Sequence, residues 1–210
     1  LIIPFFIEGG RITVGDVHYV TEGNTLIPAA ETEYARDPVF GYRHSNLRQW
    51  VSEKHGGDIA AADVAGITLD DIRTGGPEAV GAKLAGLSGG RVCIVNAVSY
   101  RDLEVVVSGL LNAERAGKHY LYRTAASFVR VRGGITPRPL LTHAELAPAP
   151  GGGLVIAGSH VQKTTRQVAA AGAQTGAASI EVSAAAVLDE ERRDAEIARV
   201  IDKVERTLRA

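Results

Sequence analysis

Short apolar runs alternate with amphipathic stretches along most of the chain. The most telling run is Leu154-Val-Ile-Ala157, which ends abruptly in Gly158-Ser159. Polar Lys163, Thr164, Thr165 and Arg166 follow, then the alanine-rich stretch Val168–Ala171. The run predicts a buried strand and the alanines a helix, so the segment reads as a strand turning into a helix N-terminus. Upstream, Leu1–Ile7 predicts a core strand. Arg11–Val20 predicts a β-hairpin turning at Gly15-Asp16. Thr21–Pro38 is polar and reads as irregular. Ser45 is expected to cap a helix running to about Glu53, with Leu47, Trp50 and Val51 on its apolar face and Gly56-Gly57 as its stop. Ile59–Val64 suits a short strand. Pro77–Leu87 predicts a helix with Pro77 in its first turn. Arg91–Asn96 predicts a buried strand. Tyr100–Ala116 predicts a helix carrying Leu103, Val106, Val107, Leu110 and Leu111 on one side. Tyr120–Arg123 and Ala125–Val131 continue as strand and helix. The last element, Asp189–Leu208, places Ile197, Val200, Ile201, Val204 and Leu208 on one helical face, with Asp189 as its cap.

Strand and helix alternating in this rhythm predict an α/β fold with largely parallel sheets and helices on their faces. The rhythm breaks at Thr136–Gly153. That stretch holds Pro137, Pro139, Pro148 and Pro150, half of the chain's 8 prolines, together with Gly151-Gly152-Gly153. The expected organisation is two α/β domains, residues 1–136 and 153–210, joined by a linker at 137–152. Both ends read as cut. The chain opens without methionine in an apolar strand, and its last helix is not followed by the strand that usually comes next. A piece of a longer protein, with both domains incomplete, is the expectation.

Composition narrows the function classes. At 210 residues with 45% hydrophobic content, the chain can bury a sizeable core. Its 23 basic and 24 acidic residues leave a net charge of −1. That balance argues against broad nucleic-acid or membrane binding by bulk electrostatics. No apolar run is long enough to span a bilayer, and no signal sequence opens the chain. The lone cysteine, Cys93, lies in an apolar run and reads as a buried core thiol, which fits a reducing cytoplasm. The six histidines form no close pair with metal-ligand spacing, so a zinc site is not expected. There is no Gly-x-Ser-x-Gly elbow and no Gly-x-Gly-x-x-Gly fingerprint. Gln162 stands where a Walker A loop would place its second glycine.

Four segments hold candidate chemistry. Gly158-Ser159, with Lys163 and Thr164, would bring amides, hydroxyls and an ammonium to one helix start, a setting that binds phosphate. Glu31–Leu47 packs Glu31, Glu33, Arg36, Asp37, Arg43 and His44 into one Pro/Gly-bearing loop. Arginine beside histidine suits a small carboxylate or phosphate, although a solvated loop with internal ion pairs has the same composition. Leu121–Arg130 places Arg123, Thr124 and Ser127 where a strand meets a helix, at the sheet edge where ligands of α/β folds sit. Helix capping by Thr124 explains the same residues. Asn96–Leu103 ends a strand at that edge: Ser99 is the expected cap of the next helix, and Asn96 either orients a ligand or closes a turn.

In this order, Glu31–Leu47, Asn96–Leu103, Arg123–Arg130 and Gly158–Gln167 resemble the four-carbon acid sugar kinase family, long catalogued as a domain of unknown function (DUF1537). Some of its members carry the label of Hrp-dependent type III effectors. The resemblance implies an N-terminal domain that binds the acid sugar and a C-terminal domain that binds ATP. It implies ATP-dependent phosphorylation of a hydroxyl on threonate, erythronate or an oxo-tetronate, with Mg²⁺ bridging phosphates. On that basis Gly158, Ser159, Lys163 and Thr164 are assigned to nucleotide phosphate. Arg123, Thr124 and Ser127, with Arg36, Asp37, Arg43 and His44, are assigned to the acid sugar. The family's Asp-Asp-x-Thr-Gly-like segment and its late glycine-rich segment are missing here, so the chain taken alone is expected to be inactive. Many members carry aspartate where this chain has Asn96. Expected partners are the two small molecules, and a homo-oligomer is compatible with them. Nucleic acid and membrane are not expected partners. Two readings from other classes stay open: a non-catalytic sugar-acid or nucleotide-binding module, and a secreted effector acting on a host partner.

Overall fold

The computed structural model describes residues 1–146, 153–159, 161–175 and 177–209. Contacts divide the chain into two units, Leu1–Arg138 and Pro139–Ala210. The expected linker falls in part on residues 147–152, outside the described residues, as does His160.

The first unit contains β1 (Ile2–Ile3), β2 (Arg11–Val14), β3 (Val17–Glu22), β4 (Thr25–Pro28), α1 (Leu47–Lys54), β5 (Ala65–Ile67), α2 (Leu69–Arg73), α3 (Gly76–Ala85), β6 (Cys93–Val95), α4 (Tyr100–Arg115), β7 (Arg123–Thr124) and α5 (Ala126–Arg132). A four-stranded sheet runs β5-β6-β1-β7 with every pair parallel, and a three-stranded antiparallel sheet runs β2-β3-β4. The α/β class expected from the alternating rhythm is the class observed.

The central strands are buried on both sides. Cys93 and Val95 join Ile3, Phe5, Leu103, Val106, Leu110 and Phe128 in the larger core, whereas Ile94 turns the other way onto Leu47, Val51 and Val64. Alternation along a strand thus feeds one core under α3, α4 and α5 and a smaller one under α1. Cys93 is buried, and burial pushes its thiol up to about 11. It is a packed side chain, as its apolar neighbours predict.

Several boundaries move, each for a pairing reason. β1 ends at Ile3 because Pro4 has no N–H to donate, and a tight turn at Ile7–Gly9 replaces the predicted end of the strand. Instead of Ile59–Val64, the strand is Ala65–Ile67, in register with Cys93–Val95. Instead of Tyr120–Arg123, it is Arg123–Thr124, opposite Ile2–Ile3, which leaves Leu121 90% exposed. The stretch expected to be irregular holds β4, joined to β3 through Gly23-Asn24 with Gly23 at φ 62°. That pair is a two-residue hairpin signal. Asn46, not Ser45, caps α1, accepting from Arg48 N at 3.0 Å and Gln49 N at 3.3 Å. Ser45 Oγ accepts from Ala30 N at 2.8 Å instead. The N-cap of α5 is Ala125, so Thr124 does not cap it. Ser99 caps α4 as expected, and Asp102 closes the box by accepting from Ser99 N at 3.0 Å.

The second unit contains α6 (His143–Leu146), α7 (Gln162–Thr175), α8 (Ala184–Leu188) and α9 (Arg193–Arg209). The predicted strand at Leu154 does not form. Leu154, Val155 and Ile156 are 58%, 88% and 86% exposed, and no strand stands among the described residues of this unit to pair with them. An apolar run becomes a strand only when a neighbour satisfies its N–H and C=O groups. No described residue of this unit is buried. Asp189 caps the turn ahead of α9, accepting from Glu191 N at 3.0 Å, rather than the helix itself. Among the described residues, no helix is long and apolar enough to cross a membrane.

Candidate functional site

The β2–β3 hairpin is fastened to the C-terminal edge of the parallel sheet. Thr13 and Ala97 exchange backbone hydrogen bonds of 3.0 and 3.1 Å. At the hairpin tip Asp16 takes a left-handed φ of 63°, which aspartate tolerates better than most residues. The buried Asn96 secures it there, donating to Asp16 Oδ1 at 2.7 Å and accepting from Asp16 N at 2.8 Å. Asn96 also donates to the Ile67 carbonyl at 2.9 Å. Arg48 from α1 donates to Asp16 at 2.5 Å and to the Val64 carbonyl. Asn96 therefore closes a turn, and in closing it positions the hairpin.

One consequence is a cleft of about 170 Å³. Ile2, Pro4, Leu47 and Trp50 form its apolar wall, and His18, Tyr42, His44 and Arg123 supply polar groups. Arg123 is exposed and lies over the Trp50 ring, its Cζ 4.9 Å from the centroid. A guanidinium on an indole face is held by cation–π attraction without using up its in-plane donors. Among the described residues no carboxylate pairs with Arg123. His44 Nε2 lies 4.0 Å from Glu53, the same carboxylate that accepts from Arg43 N at 3.0 Å. His18 stands on β3 with Nδ1 3.0 Å from Thr13 Oγ1. Burial, followed by the charge of Arg11, pushes its imidazole down to about 4.

The residues read from the sequence as sugar-binding do not all meet. Arg123 and His44 share the cleft. Arg43 is 84% exposed, its guanidinium 3.8 Å from Glu53, and Arg36 is exposed at the end of a short turn. Neither lines the cleft. Asp37 Oδ1 accepts from Val39 N at 2.8 Å and Phe40 N at 2.7 Å, which shapes its loop. Thr124 sits in the ladder opposite Ile3. Ser127 is buried in a separate cluster, where its Oγ donates to Glu8 at 3.3 Å and lies 3.4 Å from the Tyr100 hydroxyl. Tyr100 donates to Glu8 at 2.5 Å, and Arg130 lies 3.7 Å from that carboxylate and 3.9 Å from the Tyr100 ring centroid. The tyrosine's hydrogen bond leads the interactions that hold Glu8 below its usual value.

His18, Tyr42 and Trp50 carried no functional signal in the sequence. A lone histidine in an alternating strand gains meaning only when the hairpin is docked. Glu8 lies 119 positions from Ser127, so nothing local links them.

In the second unit, Ser159 and Thr164 converge at the start of α7, with Thr164 Oγ1 donating to Ser159 Oγ at 3.1 Å. Lys163 is exposed beside them, and Gly158 has open space around it. Among the described residues, no group of three or more His, Cys, Asp or Glu side chains could hold a metal ion.

Comparison with known proteins adds the relationship. No curated protein matches the chain at a significant level. Among solved structures, a Salmonella typhimurium LT2 protein described as a presumed tRNA synthase is similar over 94% of this chain, at 23% identity and a TM-score of 0.53. This chain spans 43% of that protein's length. Haemophilus influenzae protein HI1011, of the family DUF1537, aligns over 63% of this chain and 30% of its own length, at 21% identity and a TM-score of 0.45. The likeness to the Salmonella protein speaks for the fold alone. The family models speak for more. Residues 1–132 match a sugar-binding N-terminal domain, and residues 154–210 match a nucleotide-binding C-terminal domain. Carrying these two domains in this order, the chain belongs to the four-carbon acid sugar kinase family.

Proposed function

We propose that this chain serves in ATP-dependent phosphorylation of a hydroxyl on a four-carbon acid sugar of the threonate, erythronate or oxo-tetronate type. Residues 1–136 hold the acid, 137–152 link, and 153–210 hold the nucleotide. The observation that carries the reading is Arg123, a guanidinium without a carboxylate partner among the described residues, which opens β7 rather than ending a strand and lines a small cleft beside Ile2 and Trp50. Size supports it: an apolar cavity of about 150 Å³ holds benzene, so 170 Å³ suits a four-carbon acid and not a nucleotide.

Arg123 binds the carboxylate through its planar fork, and Trp50 keeps that fork from collapsing onto the surface. His44 adds a polar contact on the same wall. In the second unit the α7 N-terminus, the Ser159 and Thr164 hydroxyls, the amides around Gly158 and the Lys163 ammonium receive nucleotide phosphate. Mg²⁺ would arrive with the nucleotide, as is usual where phosphates supply most of its ligands. When bound it supplies charge neutralisation. The protein's part is positioning, which dominates phosphoryl transfer. A cytoplasmic setting accompanies this reading, where ATP is present and Cys93 stays reduced. ADP release by the full-length gene product, assayed with ATP and a panel of C4 sugar acids, tests the reaction. Turnover with at least one tetronate is expected. Titration of the chain with the same acids tests the binding step. No turnover together with no binding overturns the proposal.

A further inference from the structure

Resting on that reading of the cleft, we propose that His18 is a specificity-determining residue, which reads a hydroxyl of the acid while Arg123 holds its carboxylate. Both side chains line the same small cleft, with Trp50 and Pro4 completing it. The ring of His18 is oriented from behind. Its Nδ1 lies 3.0 Å from Thr13 Oγ1, and Thr13 is fully buried and held by both of its backbone bonds to Ala97. Thr13 therefore sets the plane of the imidazole before any ligand arrives, and His18 lines the cleft from that fixed position.

The protonation state suits the task. Burial, and after it the positive charge of Arg11, holds the ring neutral at pH 7, although the Ile12 carbonyl pulls the other way. With Nδ1 engaged by Thr13, a neutral imidazole keeps its other ring nitrogen as donor or acceptor according to tautomer, and a sugar hydroxyl can meet either. A charged imidazolium would compete with Arg123 for the carboxylate, whereas a neutral ring leaves the carboxylate to the guanidinium. The two groups then define an orientation: carboxylate toward Arg123, carbon chain over the apolar wall, hydroxyl toward His18. Sites built to hydrogen-bond a hydroxyl reject analogues that lack it, because the polar group is left unpaired.

Calorimetric titration of the 210-residue chain with erythronate, threonate, 3-hydroxybutyrate and butyrate tests this. The wild type is expected to bind the tetronates more tightly than butyrate. His18→Leu should weaken tetronate binding at least tenfold and leave butyrate unchanged. His18→Gln, which keeps a donor and an acceptor, should restore part of the loss. Arg123→Ala should weaken all four acids. Thermal melting of each variant shows whether it is folded, and Thr13→Val, which removes only the orienting hydroxyl, gives a second route to the same tetronate-selective loss. Tetronate binding unchanged in both His18→Leu and Thr13→Val overturns the inference, as does an equal loss for butyrate, which marks His18 as structural. Failure of the wild type to bind any of the four acids overturns the reading of the cleft, and the inference with it.

Discussion

At the residue scale, two side chains on one cleft differ in how their charge is set. Arg123 stacks its guanidinium on Trp50. Arg123→Lys keeps the charge but loses the fork and much of the stacking. In the full-length gene product it should raise the Michaelis constant for the acid sugar 10- to 100-fold, about 1.5–3 kcal/mol for a charge-assisted contact, and leave that for ATP nearly unchanged. Equal effects on both substrates would make Arg123 structural. His18 is a half-buried neutral base, with a value near 4 against the ordinary 6.5. The sign follows from proton binding. Between those values the unfolded chain takes up a proton that the folded chain does not, so stability rises with pH across that window. Urea unfolding midpoints of the wild type should therefore fall as pH drops from about 6.5 toward 4, and His18→Gln should flatten that part of the profile. An unchanged slope would show that the ring is not held neutral.

At the element scale, α3 and α4 approach closely because of two glycines. A Cβ on Gly109 would lie 2.7 Å from the Pro77 carbonyl and 2.8 Å from Val80, and one on Gly81 would lie 3.1 Å from the Gly109 carbonyl. Gly172 in α7 has nothing within 4 Å. The same substitution should therefore act with opposite sign. Gly109→Ala should lower stability by about 1–3 kcal/mol through overpacking, outweighing the helix preference of alanine. Gly172→Ala should gain about 0.5–1 kcal/mol in α7, seen as slower amide exchange in that helix. If both variants shift the same way, the close α3–α4 contact is not rigid. The elements also show what pattern reading reaches. α4 was legible from its one-sided apolar spacing and from Ser99 as its cap. The four residues of β4 carry too short a pattern to read as a strand, although Gly23-Asn24 marks the turn before it. Asn46 displaced Ser45 as cap because the loop carrying Ala30 recruits the serine, a contact 15 positions away.

At the scale of the whole molecule, the two units differ in what holds them. Leu1–Arg138 contains every buried residue among those described, whereas Pro139–Ala210 is organised by local contacts such as Ser183 N donating to Glu196 at 2.7 Å and Arg199 donating to Glu196 at 2.8 Å. Hydrogen exchange on the 210-residue chain should find α4 amides the slowest and α7 and α9 amides faster by orders of magnitude, since surface helices open without unfolding a core. Matching protection in α4 and α9 would contradict this.

The sequence by itself determined the elements whose pattern is local and long enough to read: α4, α7, the hairpin at Gly15-Asp16, the buried run at Cys93 and the α/β class. It also marked Arg123, His44 and Ser159 as residues of interest, through their type and their place beside a turn or helix start. The tertiary structure decided which residues meet. Strand limits followed partners, as at Arg123–Thr124, because a ladder hydrogen bond exists only where a second strand supplies it. Leu154–Ala157, apolar enough for a strand, stayed unpaired for the same reason. His18 joined Arg123 only through Asn96 and Ala97, about 80 positions from the hairpin they hold, and Ser127 went to Glu8 rather than to the cleft. Such contacts depend on which sheet edge two distant segments share, and short-range periodicity carries no record of it.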